Sequence, residues 1–176
     1  MLDALIYIAA TLAANYTAAW FIPLPIFGLI SIGTLFFGVT FTQRDRVHHR
    51  GRKAVYTMIF VAAVLNSLMS ILLNVSWRII LASFTAIVLA ETADTEVYQK
   101  LIRRPWLQRV AGSNAVSIPM DSALFTFIAF AGVFPVTKML AIIFGDVVLK
   151  AIISGLVAFE RQAGGYVPRV GALDGP

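Results

Sequence analysis

The chain has 176 residues, of which 59% are hydrophobic and 13% charged, with a mean hydropathy of +0.84. An ordinary soluble domain is about 45–50% apolar and about 25% charged, so this composition is that of a membrane protein and excludes a separate soluble domain. Without cysteine there is no disulfide framework, thiolate nucleophile or Cys-based zinc site, and two adjacent histidines, His48 and His49, do not make a metal centre, so no metal and no cofactor are expected.

A spanning helix takes about 20 apolar residues at about 1.5 Å rise per residue, so a chain of this length holds about six. The N-terminal Met-Leu-Asp-Ala-Leu lacks the basic region of a signal peptide and runs straight into an apolar stretch, which makes 3–21 the first span. Phe21-Ile-Pro-Leu-Pro25 then breaks the helix, and the second span covers 26–43. A basic connection follows, with Arg44, Arg46, Arg50, Arg52 and Lys53. The third span, 54–73, turns at Asn74-Val-Ser76 into the fourth, 77–98. Lys100, Arg103, Arg104 and Arg109 make a second basic connection before the fifth span, 111–132. The uncharged turn Val133-Phe-Pro-Val-Thr137 leads to the sixth, 138–159. A Gly- and Pro-rich tail, 161–176, carries Arg161 and Arg169 and has no apolar period. Eleven of the 14 Lys and Arg thus lie in alternate connections, and the positive-inside rule puts both termini in the cytoplasm. The predicted fold is all-α: a polytopic bundle of six transmembrane helices over 1–160 and a cytoplasmic tail, the spans being too long and continuous for barrel strands. The net charge of +5 is then mostly this topological signal and contact with lipid headgroups, not a sign of nucleic-acid binding.

A charged side chain at a helix centre costs about 2.5–3.5 kcal/mol on insertion scales, so acids inside spans need a partner, a proton or a watery cavity. The fourth span carries Glu91 and Asp94 on one face with Ser83, Ile87 and Tyr98, while Glu96 points nearly opposite. In the fifth, Asn114, Ser117, Asp121 and Phe125 fall at i, i+3, i+7 and i+11, a polar and aromatic stripe interrupted by Pro119. Asp146 and Lys150 in the sixth span sit at i and i+4, the spacing of an ion pair on one helix. Glu91, Asp94 and Asp121 on neighbouring helices would repel one another and could not all stay ionised, which predicts pH-dependent behaviour. Isolated residues such as Asn15, Asn66 and Ser83 are ordinary devices for joining helices.

Arg78-Ile-Ile-Leu-Ala-Ser83, Glu91-Thr-Ala-Asp94, Trp106-Leu-Gln-Arg109, Ser113-Asn114, Ser117, Asp121-Ser122, Phe125 and Ile128-Ala-Phe130 form one ordered signature over residues 77–132. The signature resembles the VUT family, the queuosine precursor transporters. Gly33-Thr-Leu-Phe-Phe-Gly-Val-Thr-Phe41 and the following Asp45 are similar to that family's second span. His49 stands where the family usually has an acid, Glu91 and Ile118 where it commonly has Gln, and its late Pro-Tyr pair is missing from the sixth span. The resemblance implies a multi-pass bacterial inner-membrane importer of 7-deazaguanines, such as 7-cyano-7-deazaguanine and its aminomethyl analogue, that serves tRNA modification. It carries over Asp45, Glu91, Asp94, Arg109, Asn114, Ser117, Asp121 and Lys150. Together with the polar stripes it makes Asp94, Asn114, Ser117, Asp121, Glu91, Tyr98, Phe125 and Asn15 the expected substrate-binding residues. Asp45, Arg109, Asp146 and Lys150 are the expected coupling or gating residues. The expected partners are a small-molecule base and membrane lipid, and a homodimer is compatible with the pattern. The alternative within transport is a substrate-binding subunit of an energy-coupling-factor vitamin transporter. An enzyme is not expected, because no Gly-x-Ser-x-Gly or His-Glu-x-x-His motif occurs.

Overall fold

A computed structural model describes residues 2–24, 28–48 and 50–165. His49 and 166–176, most of the expected tail, lie outside the described residues, as does the side chain of Asp45. The described chain is an α-helical bundle of α1 (Leu2–Tyr16), α2 (Phe37–His48), α3 (Arg52–Leu72), α4 (Trp77–Lys100), α5 (Trp106–Phe130) and α6 (Val136–Ala163). The last four overlap the segments expected as spans three to six, but α5 begins five residues before 111, so Arg109, expected in the connection, is a buried side chain of that helix. Their boundaries have local causes: Pro105 and Pro135 stand immediately before α5 and α6, where a missing N–H costs nothing, and Gly51 takes φ 99° to turn α2 into α3.

The second span departs from expectation. In place of one helix over 26–43, the chain forms an antiparallel hairpin of β1 (Phe21–Leu24) and β2 (Gly28–Ser31), then a 3-10 turn over Ile32–Phe36, and only then α2. Pro23 and Gly28 disfavour a helix here, and Ser31 Oγ accepts from Gly33 N–H to start the 3-10 turn. With 12 residues, about 18 Å long, α2 is too short to cross a bilayer core of about 30 Å by itself. Irregular backbone at membrane depth is tolerated where protein or a cavity satisfies it. Here β2 packs on α6 and the 3-10 turn packs on α1, so closely that a Cβ on Gly33 would run into the Ala14 carbonyl oxygen. Because α2 runs on to His48, Arg44 is not a loop charge marking topology but a side chain of the helix, 4% exposed.

The helices close a ring in which each packs on the next, in the order α1, α3, α4, α5, α6, α2. Asp3 pairs with Arg46 and Arg50 at 3.5 and 3.4 Å, and Arg161 donates to the Thr42 carbonyl at 3.0 Å. The start of α1 and the end of α6 therefore meet the end of α2 at one end of the bundle. Two apolar clusters fill that end, one around Tyr7, Val55 and Met58 and one around Phe41, Tyr98 and Trp106; a third, around Ala82, Phe130 and Met139, lies toward the other end.

The outside of the ring is apolar. Val136, Leu140, Phe144, Ile152 and Leu156 make an exposed stripe along α6, while Asp146 and Lys150 on the same helix are buried. Phe60, Leu68, Ile71 and Leu72 do likewise on α3. A soluble helix has the opposite polarity, and so extensive an exposed apolar surface is stable only against lipid. Among the described residues, α3 and α6 are each long and apolar enough to cross a membrane. The protein is a membrane protein.

Candidate functional site

Inside the ring lies a cavity of about 140 Å³, and a cavity of about 150 Å³ takes a benzene-sized ring. Small residues make the room: Ala14 from α1, Ala18 from the turn after it, Ala86 and Ala90 from α4. Aromatic rings from three segments, Phe21, Phe37 and Phe125, form its walls. Its two ends are polar. At one, Asn15 donates to Ser70 Oγ at 2.6 Å and accepts from the Ser83 hydroxyl, which ties α1 to α3 and α4. At the other, about 12 Å further along α4, stand the charged groups.

Those charges form two cation-centred clusters. On α2, Phe37, Thr40 and Arg44 are at i, i+3 and i+7, and all three line the cavity. Arg44 Nη1 donates to Glu91 Oε2 at 2.8 Å and Nη2 to Asp94 Oδ2 at 2.9 Å. Asp94, 1% exposed, also accepts from Ser117 Oγ at 2.7 Å, so it is enclosed beneath the cavity floor. On α6, Lys150 Nζ lies 2.6 Å from Asp121 Oδ2, 3.0 Å from Asp146 Oδ2 and 3.2 Å from Ser122 Oγ. The Thr34 hydroxyl donates to the other oxygen of Asp146, which anchors the 3-10 turn to α6. The expected i, i+4 pair of Asp146 and Lys150 is thus present, with Asp121 as a third member.

The picture of mutually repelling carboxylates is corrected accordingly. Each of the four acids has a cation within 3.0 Å, and a buried carboxylate paired with a hydrogen-bonded cation avoids most of the penalty of isolation. What remains is a surplus: Glu91, Asp94, Asp121 and Asp146 face two cations, Arg44 and Lys150. Of the acids that line the cavity, Asp121 is the most open, with 33% of its side chain exposed against 18% for Glu91.

Asn15, Glu91, Ser117, Asp121, Phe125, Asp146 and Lys150 all line this cavity. Four expected members, Asp94 beneath the floor and Asn114, Tyr98 and Arg109 further down, do not, because they lie too deep and not because they face the wrong way. Asn114 is seven residues below Asp121, about 10 Å along the helix. There its amide donates to Ser154 Oγ at 2.6 Å and borders a groove between α5 and α6. Tyr98 is as far below Glu91 and packs under the floor, 4.7 Å from the His48 ring. Arg109 stacks over that tyrosine at 5.3 Å and is buried, part of the same plug. Sequence reasoning missed Arg44, Tyr7, Thr34 and Thr40 as cavity residues. For Arg44 a signal existed: Phe37, Phe41, Arg44 and His48 fall at i, i+4, i+7 and i+11, a helical stripe that continues past the first charge.

Among the described residues no group of His, Cys, Asp and Glu is arranged to hold a metal ion. What the site can do is accept several N–H donors from a flat apolar molecule held between aromatic walls. No curated protein and no solved structure matches the chain. The family described as "Putative vitamin uptake transporter" matches residues 31–159, from the end of β2 almost to the end of α6. The match takes in both charge clusters and most of the cavity lining, and it agrees with the expectation that no enzyme is encoded. The chain belongs to the vitamin uptake transporter family and is a membrane transporter of small molecules.

Proposed function

We propose that the protein imports queuosine precursors, 7-cyano-7-deazaguanine and related 7-deazaguanines, across the bacterial inner membrane, crossing it six times with both termini in the cytoplasm. The observation that carries this reading is the cavity itself, apolar and aromatic along its walls with carboxylates at one end. A guanine-like edge presents N–H donors on two nitrogens attached to one carbon, and a carboxylate accepts both in matching geometry. Asp121 takes that role as the most open cavity-lining acid, and Phe125, one turn on, offers a face to the ring. The surplus of carboxylates over cations supports uptake of a proton with the neutral base.

The test is a strain that lacks both synthesis of the precursor and its own transporter. Expression of the protein restores queuosine in tRNA at low external precursor; a well-expressed, membrane-inserted protein that restores none with any 7-deazaguanine would remove this substrate. The orientation is tested separately. Labels at the exposed residues 50 and 104 react only from the cytoplasmic side, and a label at residue 75 or 135 reacts from outside. Reversed accessibility would overturn the six-span arrangement whatever the substrate.

A further inference from the structure

Arg44 crosses the middle of the ring. The helix that carries it, α2, and the helix it reaches, α4, are not neighbours in the ring and make at most marginal backbone contact. Yet its guanidinium binds two α4 carboxylates at once, each through a different terminal nitrogen, Glu91 at 2.8 Å and Asp94 at 2.9 Å. It closes the charged end of the cavity, and beneath it the path is filled by the plug of Phe41, Tyr98 and Trp106. Chemically, what Arg44 presents is a pair of N–H donors on two nitrogens flanking one planar carbon. This is the same fork as the edge of a 2-amino-pyrimidinone ring.

We propose that Arg44 is an internal occupant of a ligand subsite formed by Glu91 and Asp94, and that a ligand with the same paired N–H donors displaces it. Displacement removes the side chain that braces α2 against α4, so that occupation of the subsite and loosening of the closed end are one event. The proposal rests on the transport reading above and adds a second station to it: a base held first at the more open Asp121 passes to Glu91 and Asp94 by exchange with Arg44. Exchange conserves hydrogen bonds, because one fork replaces another on the same oxygens. A guanidinium or amidinium conserves the charge as well; a neutral base does so only with a proton on one of the two carboxylates, because a buried carboxylate stripped of its cation is left uncompensated. Exchange also sets the ligand class as amidine-, guanidine- or guanine-like, since a single ammonium cannot reach both carboxylates through one planar fork.

The experiment uses methylguanidinium chloride as the probe and methylammonium chloride as the ionic control, both at low millimolar concentration, with the purified protein in detergent. In Arg44→Ala the subsite is vacated, and methylguanidinium raises the melting temperature saturably, by roughly 3–6 °C at tenfold its Kd. Wild type, whose subsite is filled, and Arg44→Ala combined with Glu91→Gln shift much less, and methylammonium shifts none of them. Should Arg44→Ala be recovered unfolded, Arg44→Met keeps the aliphatic stem and the same titration is read on it. Equal shifts in wild type and variant, equal shifts with the two cations, or no shift in the variant would each overturn the proposal. Since this readout involves no transport, a saturable shift in a protein that restores no tRNA queuosine would remove the substrate reading and leave the internal occupant standing.

Discussion

Asp121→Asn is expected to abolish uptake, or to weaken binding at least tenfold, in a protein that still folds. Tenfold corresponds to about 1.4 kcal/mol, less than a buried charge-assisted hydrogen bond is commonly worth. The amide keeps the volume of the carboxylate but offers one acceptor where two N–H donors arrive. Folding survives because Lys150 still has Asp146, 3.0 Å away, and Asp121 is the more exposed of its two partners. Glu96→Gln is the control. Glu96 sits on the opposite side of α4, where it meets the Tyr56 hydroxyl and Arg52 at 3.5 Å, an exposed pairing that contributes little. Equal losses from the two substitutions would sink the assignment of a cavity face. Coupling is read on the wild type: in vesicles with acid outside, the expected result is accumulation of the base that collapses with a protonophore, whereas equilibration to equal concentrations would leave the acids as recognition groups only.

Lys150→Met is expected to be the most damaging single change to stability. Lys150 is buried and holds Asp121 and Asp146 together at 2.6 and 3.0 Å, so an apolar replacement leaves two facing carboxylates with no cation between them. Removing one partner from a buried ion pair costs about 3–5 kcal/mol. For a chain of this size that lowers the melting temperature by roughly 6–20 °C. Asp146→Asn in the same chain should recover part of the loss, and a non-additive cycle is the sign that the two residues act as one unit. A Lys150→Met protein that melts like wild type would show that the cluster contributes nothing to the fold.

Both predictions depend on placements that differ in how far they could be read from the chain alone. Composition and span length decide the class, because apolar runs this long can satisfy their backbone in lipid only as helices, and α3 to α6 overlap the segments expected as spans three to six. Depth-independent patterns were legible too: Asp146 and Lys150 at one helical turn, Glu91 set opposite Glu96, and Ser117 with Asp121 and Phe125 on one face. The hairpin before α2 was not legible, since an apolar run interrupted by Pro and Gly reads equally as a broken helix, and what holds the strands is their pairing and the packing of β2 on α6. Arg44 shows the same limit at a single residue. In sequence it is the first of five basic residues after an apolar run and reads as a topological charge; only the distance from α2 to Glu91 and Asp94 makes it a buried bridge. Asn114 and Tyr98 fail the other way. Helical periodicity gives the face a residue occupies but not where along that face the cavity ends. That limit is set by which side chains from the other helices fill the axis.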